Sequence, residues 1–226
     1  MIAVQTIAPR VTNRLRTYNA VAGLVHLLQA IAVLFLTNDF SIPVTAVFME
    51  GPPGTDATKV TTLFDFRIGW GVAVFLLMSA TAHLLLITPG VFQWYVRQLE
   101  TSRNYARWIE YSLSSSLMVV LIALLPGITD ISALIALFGV NAAMILFGLL
   151  MEKYEQPGNP SWTSYWFGVL AGSVPWIAIA FYLWTPGSIA NPPIFVYVIF
   201  VSLFLFFNSF SLNMILQYRQ TWRWRN

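Results

Sequence analysis

Asn104-Tyr105-Ala106-Arg107-Trp108-Ile109-Glu110-Tyr111-Ser112 leads through Ser114-Ser115-Ser116 into an apolar run that reaches Leu125. A carboxylate near the start of such a run is costly to bury and needs a partner or a proton. At helical spacing Arg107, Glu110, Tyr111 and Ser114 share one broad face. Further polar residues interrupt the other apolar runs. His26 and Gln29 lie three apart, Ser79 and His83 four apart, Asn141 stands alone, Asn208 and Asn213 lie near the end, and Pro175-Trp176 interrupts a helical pattern. The chain has only two histidines, and both fall in apolar runs. Two imidazoles and a carboxylate at membrane depth are the groups of a proton relay. A Ser, Asn or Gln in such a run more often joins helices than binds a ligand, and a lone His reads either way. No HxxxH or ExxH spacing supports a metal site, so none is expected. Glu152 and Glu155 flank Lys153 near the end of an apolar run and read as a solvated interface.

The elements that must position these groups are membrane helices. Of the 226 residues 58% are hydrophobic and 9% charged, against about 25% charged in soluble domains, and mean hydropathy is +0.69. The expected fold is an all-α membrane bundle forming a single domain over residues 1–226. Six runs are long enough to span as helices, at about 20–36, 66–87, 104–125, 131–154, 164–184 and 193–219. Pro89-Gly90 ends the second and Pro126-Gly127 the third. With a cytoplasmic N-terminus, ten basic residues (Arg10, Arg14, Arg16, Arg97, Arg103, Arg107, Lys153, Arg219, Arg223, Arg225) lie inside, and Lys59 and Arg67 lie outside. That bias predicts both termini in the cytoplasm of a multi-pass protein of the cell membrane. The basic excess therefore reports topology rather than nucleic-acid binding. No cleaved signal peptide is expected, and the absence of cysteine excludes disulfides and Cys-based metal sites.

The long outer connection, 37–65, holds two β-prone runs, Ser41 to Phe48 and Lys59 to Phe64, around Gly51-Pro-Pro-Gly54. These predict a hairpin whose free edge is a candidate dimer contact, or else a solvated flap. Trp94, Trp108, Trp162, Trp166, Trp184, Trp222 and Trp224 fall at predicted helix ends, as an interfacial belt would. Trp70 and Trp176 fit the belt less well; Trp176, following a helix-breaking proline, suits a flat apolar ligand or plain core packing.

Asn104-x-x-Arg107-Trp108-x-Glu110-Tyr111-Ser112, with His26, Gln29, Ser79, His83 and Asn141, resembles the heliorhodopsins. So do the Gly51-Pro-Pro-Gly54 turn, Pro175-Trp176 and Asn213-Met-x-Leu-Gln217-Tyr218, and the likeness covers essentially the whole chain. The resemblance implies an inverted, dimeric, non-pumping light sensor acting on an unknown signalling partner. It implies all-trans-retinal held as a protonated Schiff base on a seventh-helix lysine, with Glu110 as counterion. It also implies a retinal pocket and polar cavity drawn from His26, Gln29, Ser79, His83, Asn104, Arg107, Tyr111, Ser114, Ser115, Asn141 and Trp176.

The only lysines are Lys59, in the outer loop, and Lys153, at a helix end, and no seventh span is expected before Asn226. Covalent retinal is therefore not expected through the residues present. Three readings follow: a heliorhodopsin whose seventh helix lies outside this sequence, a six-helix relative binding an apolar ligand without a covalent bond, or a membrane assembly subunit. A different class, a proton-coupled carrier or small membrane enzyme, is disfavoured by the absence of phosphate loops, nucleophile–base arrangements and inverted halves.

Overall fold

The computed structural model describes residues 7–185 and 192–221. Its elements are helix α1 (Pro9–Leu36), strands β1 (Ser41–Met49) and β2 (Thr58–Arg67), then helices α2 (Ile68–Leu86), α3 (Pro89–Glu100), α4 (Tyr105–Leu124), α5 (Ile131–Tyr154), α6 (Thr163–Trp184) and α7 (Ile194–Tyr218). All but α3 are long and apolar enough to cross a membrane, which gives the six predicted spans. The ends of five of them agree with the expected limits to within two residues. α1 instead starts at Pro9, well before Ala20, because hydropathy marks only the apolar part of a helix that continues through Arg10, Arg14 and Arg16.

The twelve-residue α3 was not expected from the sequence. It is too short to span, and it is amphipathic: Phe92 and Tyr95, three apart, are buried, while Gln93 and Arg97 are exposed. Arg16 fastens α3 and α2 to α1. Its Nη2 and Nε donate to the Ile87 carbonyl at the C-terminal end of α2 (2.9 and 3.2 Å), and its guanidinium lies 5.4 Å from the Phe92 ring centre.

The predicted hairpin is present. β1 and β2 pair antiparallel from Ser41↔Arg67 to Met49↔Thr58, with a bulge between Val44 and Thr45. The bulge turns Val44 into the core, and Thr45 N donates to the Thr129 carbonyl at 2.9 Å, tying the hairpin to the α4–α5 connection.

α1 packs on α2, α2 on α4, α4 on α5 and α5 on α6. The core runs through Val119, Ile122 and Leu124 of α4, Leu134 and Leu137 of α5, and Trp176, Ile179 and Leu183 of α6, to Val196 and Phe200 of α7. Within α6, Pro175 is buried. α7 joins through aromatic edges, Trp176 meeting Phe200, Phe204 and Phe207 at 5.5, 5.4 and 5.2 Å between centroids. Outer faces carry Phe35, Leu170, Ile177, Phe181 and Phe206, all exposed, as contact with lipid rather than water allows.

Candidate functional site

Small residues bring α1 and α2 close enough to share their polar groups. Asn19, Gly23 and Ala30 form the buried stripe of α1. A Cβ on Gly23 would stand 2.9 Å from Leu84 Cγ and 3.3 Å from His83 Cβ, so glycine sets the approach of the two helices. Across this seam the His26 and His83 rings stack, 5.8 Å apart and inclined by 14°. His26 Nδ1 pairs with Gln29 Oε1 at 3.1 Å, and His83 Nδ1 with Asn19 Oδ1 at 2.8 Å. One turn before His83 on α2, Ser79 Oγ donates to Glu110 Oε1 of α4 at 2.7 Å. The structure thus brings together His26, Gln29, Ser79, His83 and Glu110, with Asn19 as a further member.

Glu110 has no cationic partner among the described residues. The ion pairs there are Lys59–Glu50, Arg67–Asp39 and Arg107–Glu152. Arg107 does not join Glu110, although the two lie three apart on α4. Its Nη2 reaches Glu152 Oε1 at 3.5 Å, and its guanidinium lies 4.5 Å from the Trp108 ring centre. Glu152 also accepts from Trp108 Nε1 and from Asn104 N (3.0 Å). Asn104 caps α4 by accepting from Arg107 N at 3.2 Å. The face expected to hold Arg107, Glu110, Tyr111 and Ser114 therefore fans out between neighbours. Arg107 turns to α5, Glu110 to α2, Tyr111 packs edge-on against Phe210 of α7 at 5.5 Å, and Ser114 is buried.

Two readings of this region are corrected. Trp108 is not part of an interfacial belt: it is buried, its indole fills the space where a Cβ on Gly148 would stand, and its N–H needs the buried acceptor that Glu152 supplies. Glu152 is not at a solvated interface, its side chain being only 8% exposed. Of the other tryptophans, Trp166 and Trp184 are exposed and Trp94 and Trp162 half-buried, while Trp222 and Trp224 lie outside the described residues.

Between α4 and α5, fully buried Asn141 donates through Nδ2 to Ser115 Oγ (2.9 Å) and Ser116 Oγ (3.1 Å). Both hydroxyls donate back to their own helix, to the carbonyls of Tyr111 and Ser112. This is helix-joining geometry, separate from Glu110. Trp176 packs among its own aromatic neighbours, away from the carboxylate's hydrogen bonds.

Sequence reasoning missed Asn19, Tyr95 and Glu152. Asn19 sits seven residues before His26, on the same stripe of α1, and that spacing was the available signal. Tyr95 belongs to the unforeseen α3. Burial pushes its phenol above the usual range, opposed by Asn19, by the charge of Arg107 and by Asn104. Among the described residues no group of three His, Asp or Glu could hold a metal ion.

These features define an integral membrane helix bundle with a carboxylate and two imidazoles gathered at depth between three helices. The sequence profile of the heliorhodopsins matches residues 15–226, and the chain belongs to that family. Its members are light-sensing, rhodopsin-like membrane proteins, generally not enzymes, and typically bind retinal. A search of curated proteins finds no match.

Proposed function

We propose that this protein is a non-pumping light sensor in which Glu110 is the counterion of a protonated retinal Schiff base. The observation that carries the reading is a carboxylate inside a membrane span with one hydroxyl partner and no cation among the described residues. A half-buried anion at that depth is stabilised by a cation or a proton brought to it. Retinal, when bound, supplies light absorption and that positive charge. The residues present suit the charge: Glu110 receives it, Ser79 holds the carboxylate oxygen, and His83 and His26 stand beside it. They do not suit the covalent bond. Lys59 lies on β2 beside Glu50, and Lys153 lies against Tyr154 at the end of α5. The amine would come from outside residues 1–226.

Ser79 fixes the Glu110 carboxylate oxygen, and the imidazole pair, held by Asn19 and Gln29, lies one turn along α2 from that serine.

We further infer a single membrane domain, both termini cytoplasmic, in the cell membrane, and a homodimer acting on a signalling partner. The basic ends of α1, α3, α5 and α7 lie at one end of the bundle and support the orientation. The hairpin's exposed Val47, Phe48, Met49, Val60, Leu63 and Phe64 support the hairpin as the contact between copies.

The test is the visible spectrum of the protein purified together with the segment or partner chain that supplies the amine, given all-trans-retinal. A band well to the red of free retinal is expected, moving further red in Glu110→Gln because the ground-state ion pair is weakened. A free-retinal band in both proteins refutes the photoreceptor reading and leaves a six-helix ligand binder or assembly subunit.

A further inference from the structure

At the end of the bundle where α4 begins and α5 finishes, the Arg103 guanidinium reaches the Lys153 backbone, and neither side chain has an anion among the described residues. Arg103 Nη2 donates to the Lys153 carbonyl at 3.4 Å, and Arg103 Nε is buried without a hydrogen-bond partner. Neither Arg103 nor Lys153 has a carboxylate at ion-pair distance among the described residues. The nearby carboxylates have other partners. Glu152 takes Arg107, the Trp108 indole and Asn104 N; Glu155 accepts from Ser161 N at 2.6 Å; Glu100 accepts from Ile7 N at 3.4 Å.

The depth of the pair points to its occupant. Lys153 Nζ lies 5.0 Å from the ring centre of Tyr154, which is 67% exposed at the end of an apolar span, and Arg103 lies 5.9 Å from that of Tyr105. Every cation–ring pair among the described residues occurs at this end of the bundle: Arg16 on Phe92, Arg103 on Tyr105, Arg107 on Trp108, Lys153 on Tyr154, Arg219 on Trp162. Amphipathic rings carrying cations at the ends of spans mark headgroup level.

We propose that Arg103 and Lys153 bind the phosphate of an anionic phospholipid between the start of α4 and the end of α5. The guanidinium fork matches phosphate oxygens, and Lys153, whose backbone Arg103 touches, carries a second compact charge at the same headgroup level. Basic recesses between spanning helices are where lipid headgroups dock. The inference does not depend on retinal. It gives bilayer composition a hold on the helix that carries Glu110.

The test titrates the full chain in neutral-detergent micelles with phosphatidylglycerol and counts bound lipid by native mass spectrometry. Arg103→Gln and Lys153→Gln should each weaken binding about five-fold, while Lys153→Arg retains it. Arg10→Gln and Arg14→Gln, at the same end, should change it less than two-fold, as roughly expected for exposed cations outside the site. Equal losses from Arg10 or Arg14 would mean diffuse attraction and overturn the site. Unchanged binding in Lys153→Gln would overturn it too, and this exposed position decides the matter if Arg103→Gln does not fold. Inorganic phosphate at the lipid's own concentration should not displace the lipid; if it does, the seat is for a free anion and the lipid assignment fails.

Discussion

Removing the Glu152 carboxylate should cost more stability than its place beside an exposed lysine suggests. The side chain is 8% exposed and meets three donors: Arg107 Nη2, the Trp108 indole N–H and the Asn104 amide. In Glu152→Ala the indole and amide lose their acceptor, at about 1–3 kcal/mol for each buried donor left unmet. Arg107 is 35% exposed, so water screens it and its share is nearer about 0–1 kcal/mol. The sum is about 2–7 kcal/mol, which brackets the range of about 3–5 kcal/mol for breaking a buried pair by removing one member. Glu152→Gln keeps one acceptor oxygen and should cost about half as much. Equilibrium unfolding in mixed micelles, titrated with SDS and followed by far-ultraviolet circular dichroism, gives the differences. Glu155→Ala is the comparison, because Glu155 accepts from one backbone amide at an exposed turn. A cycle pairing Glu152→Gln with Trp108→Phe should return a coupling of about 1–2 kcal/mol, since the two meet directly. A loss below about 1 kcal/mol in Glu152→Ala, no larger than in Glu155→Ala, would show that water reaches the carboxylate and that the burial argument is wrong.

Two glycines on helix faces separate rigid from yielding neighbours. A Cβ on Gly148 would strike the Trp108 ring, which its indole hydrogen bond holds in place, so Gly148→Ala should lose about 1–3 kcal/mol in the same unfolding assay. A Cβ on Gly172 would meet the Met144 thioether, which can swing away, and Gly172→Ala should cost less than half as much; the reverse order would refute the distinction. Asp130 caps α5, accepting from Ser132 N at 2.9 Å and Ala133 N at 3.3 Å, and hydrogen bonding, led by the Ser132 side chain, holds its carboxyl below the ordinary range. A depressed carboxyl contributes stability that is complete above its unfolded pKa of about 3.9 and is lost as pH falls through the lower folded value. Carboxyl-carbon NMR should place its midpoint below that of a free aspartate, and a midpoint at or above it sinks the capping assignment.

The spans were legible because hydropathy measures the cost of taking side chains out of water, and that cost decides where a helix crosses lipid. The same measure is blind to α3, which is half apolar over twelve residues, and to the first turns of α1, which are helical but charged. The hairpin could be read from Gly51-Pro-Pro-Gly54 between β-prone runs, but its bulge could not, because that depends on docking to Thr129. At the site the sequence told which residue types were out of place, without telling whom they meet. Successive helical residues turn by about 100°, so positions three apart differ by about 60°. In a groove between helices that angle is enough to send Arg107 to α5 and Glu110 to α2. Trp108 was misread for the same reason: a tryptophan at a helix end suits the interface unless a neighbouring helix offers a gap, and here Gly148 makes the gap and Glu152 the acceptor.

Glu110 and Glu152 make the functional argument between them, since both stand in membrane helices of one bundle. Glu152 is fully provided for, with a cation, an indole and a backbone amide. Glu110, a turn further along α4 than the arginine that satisfies Glu152, has one serine hydroxyl. A bundle that needed only packing from Glu110 would be more stable with a neutral residue there, whereas Glu152 holds the Asn104 amide at the start of α4 and seats Trp108. The carboxylate short of partners is the one we propose as counterion, and the stacked imidazoles lie one turn along α2 from its serine rather than beside Glu152.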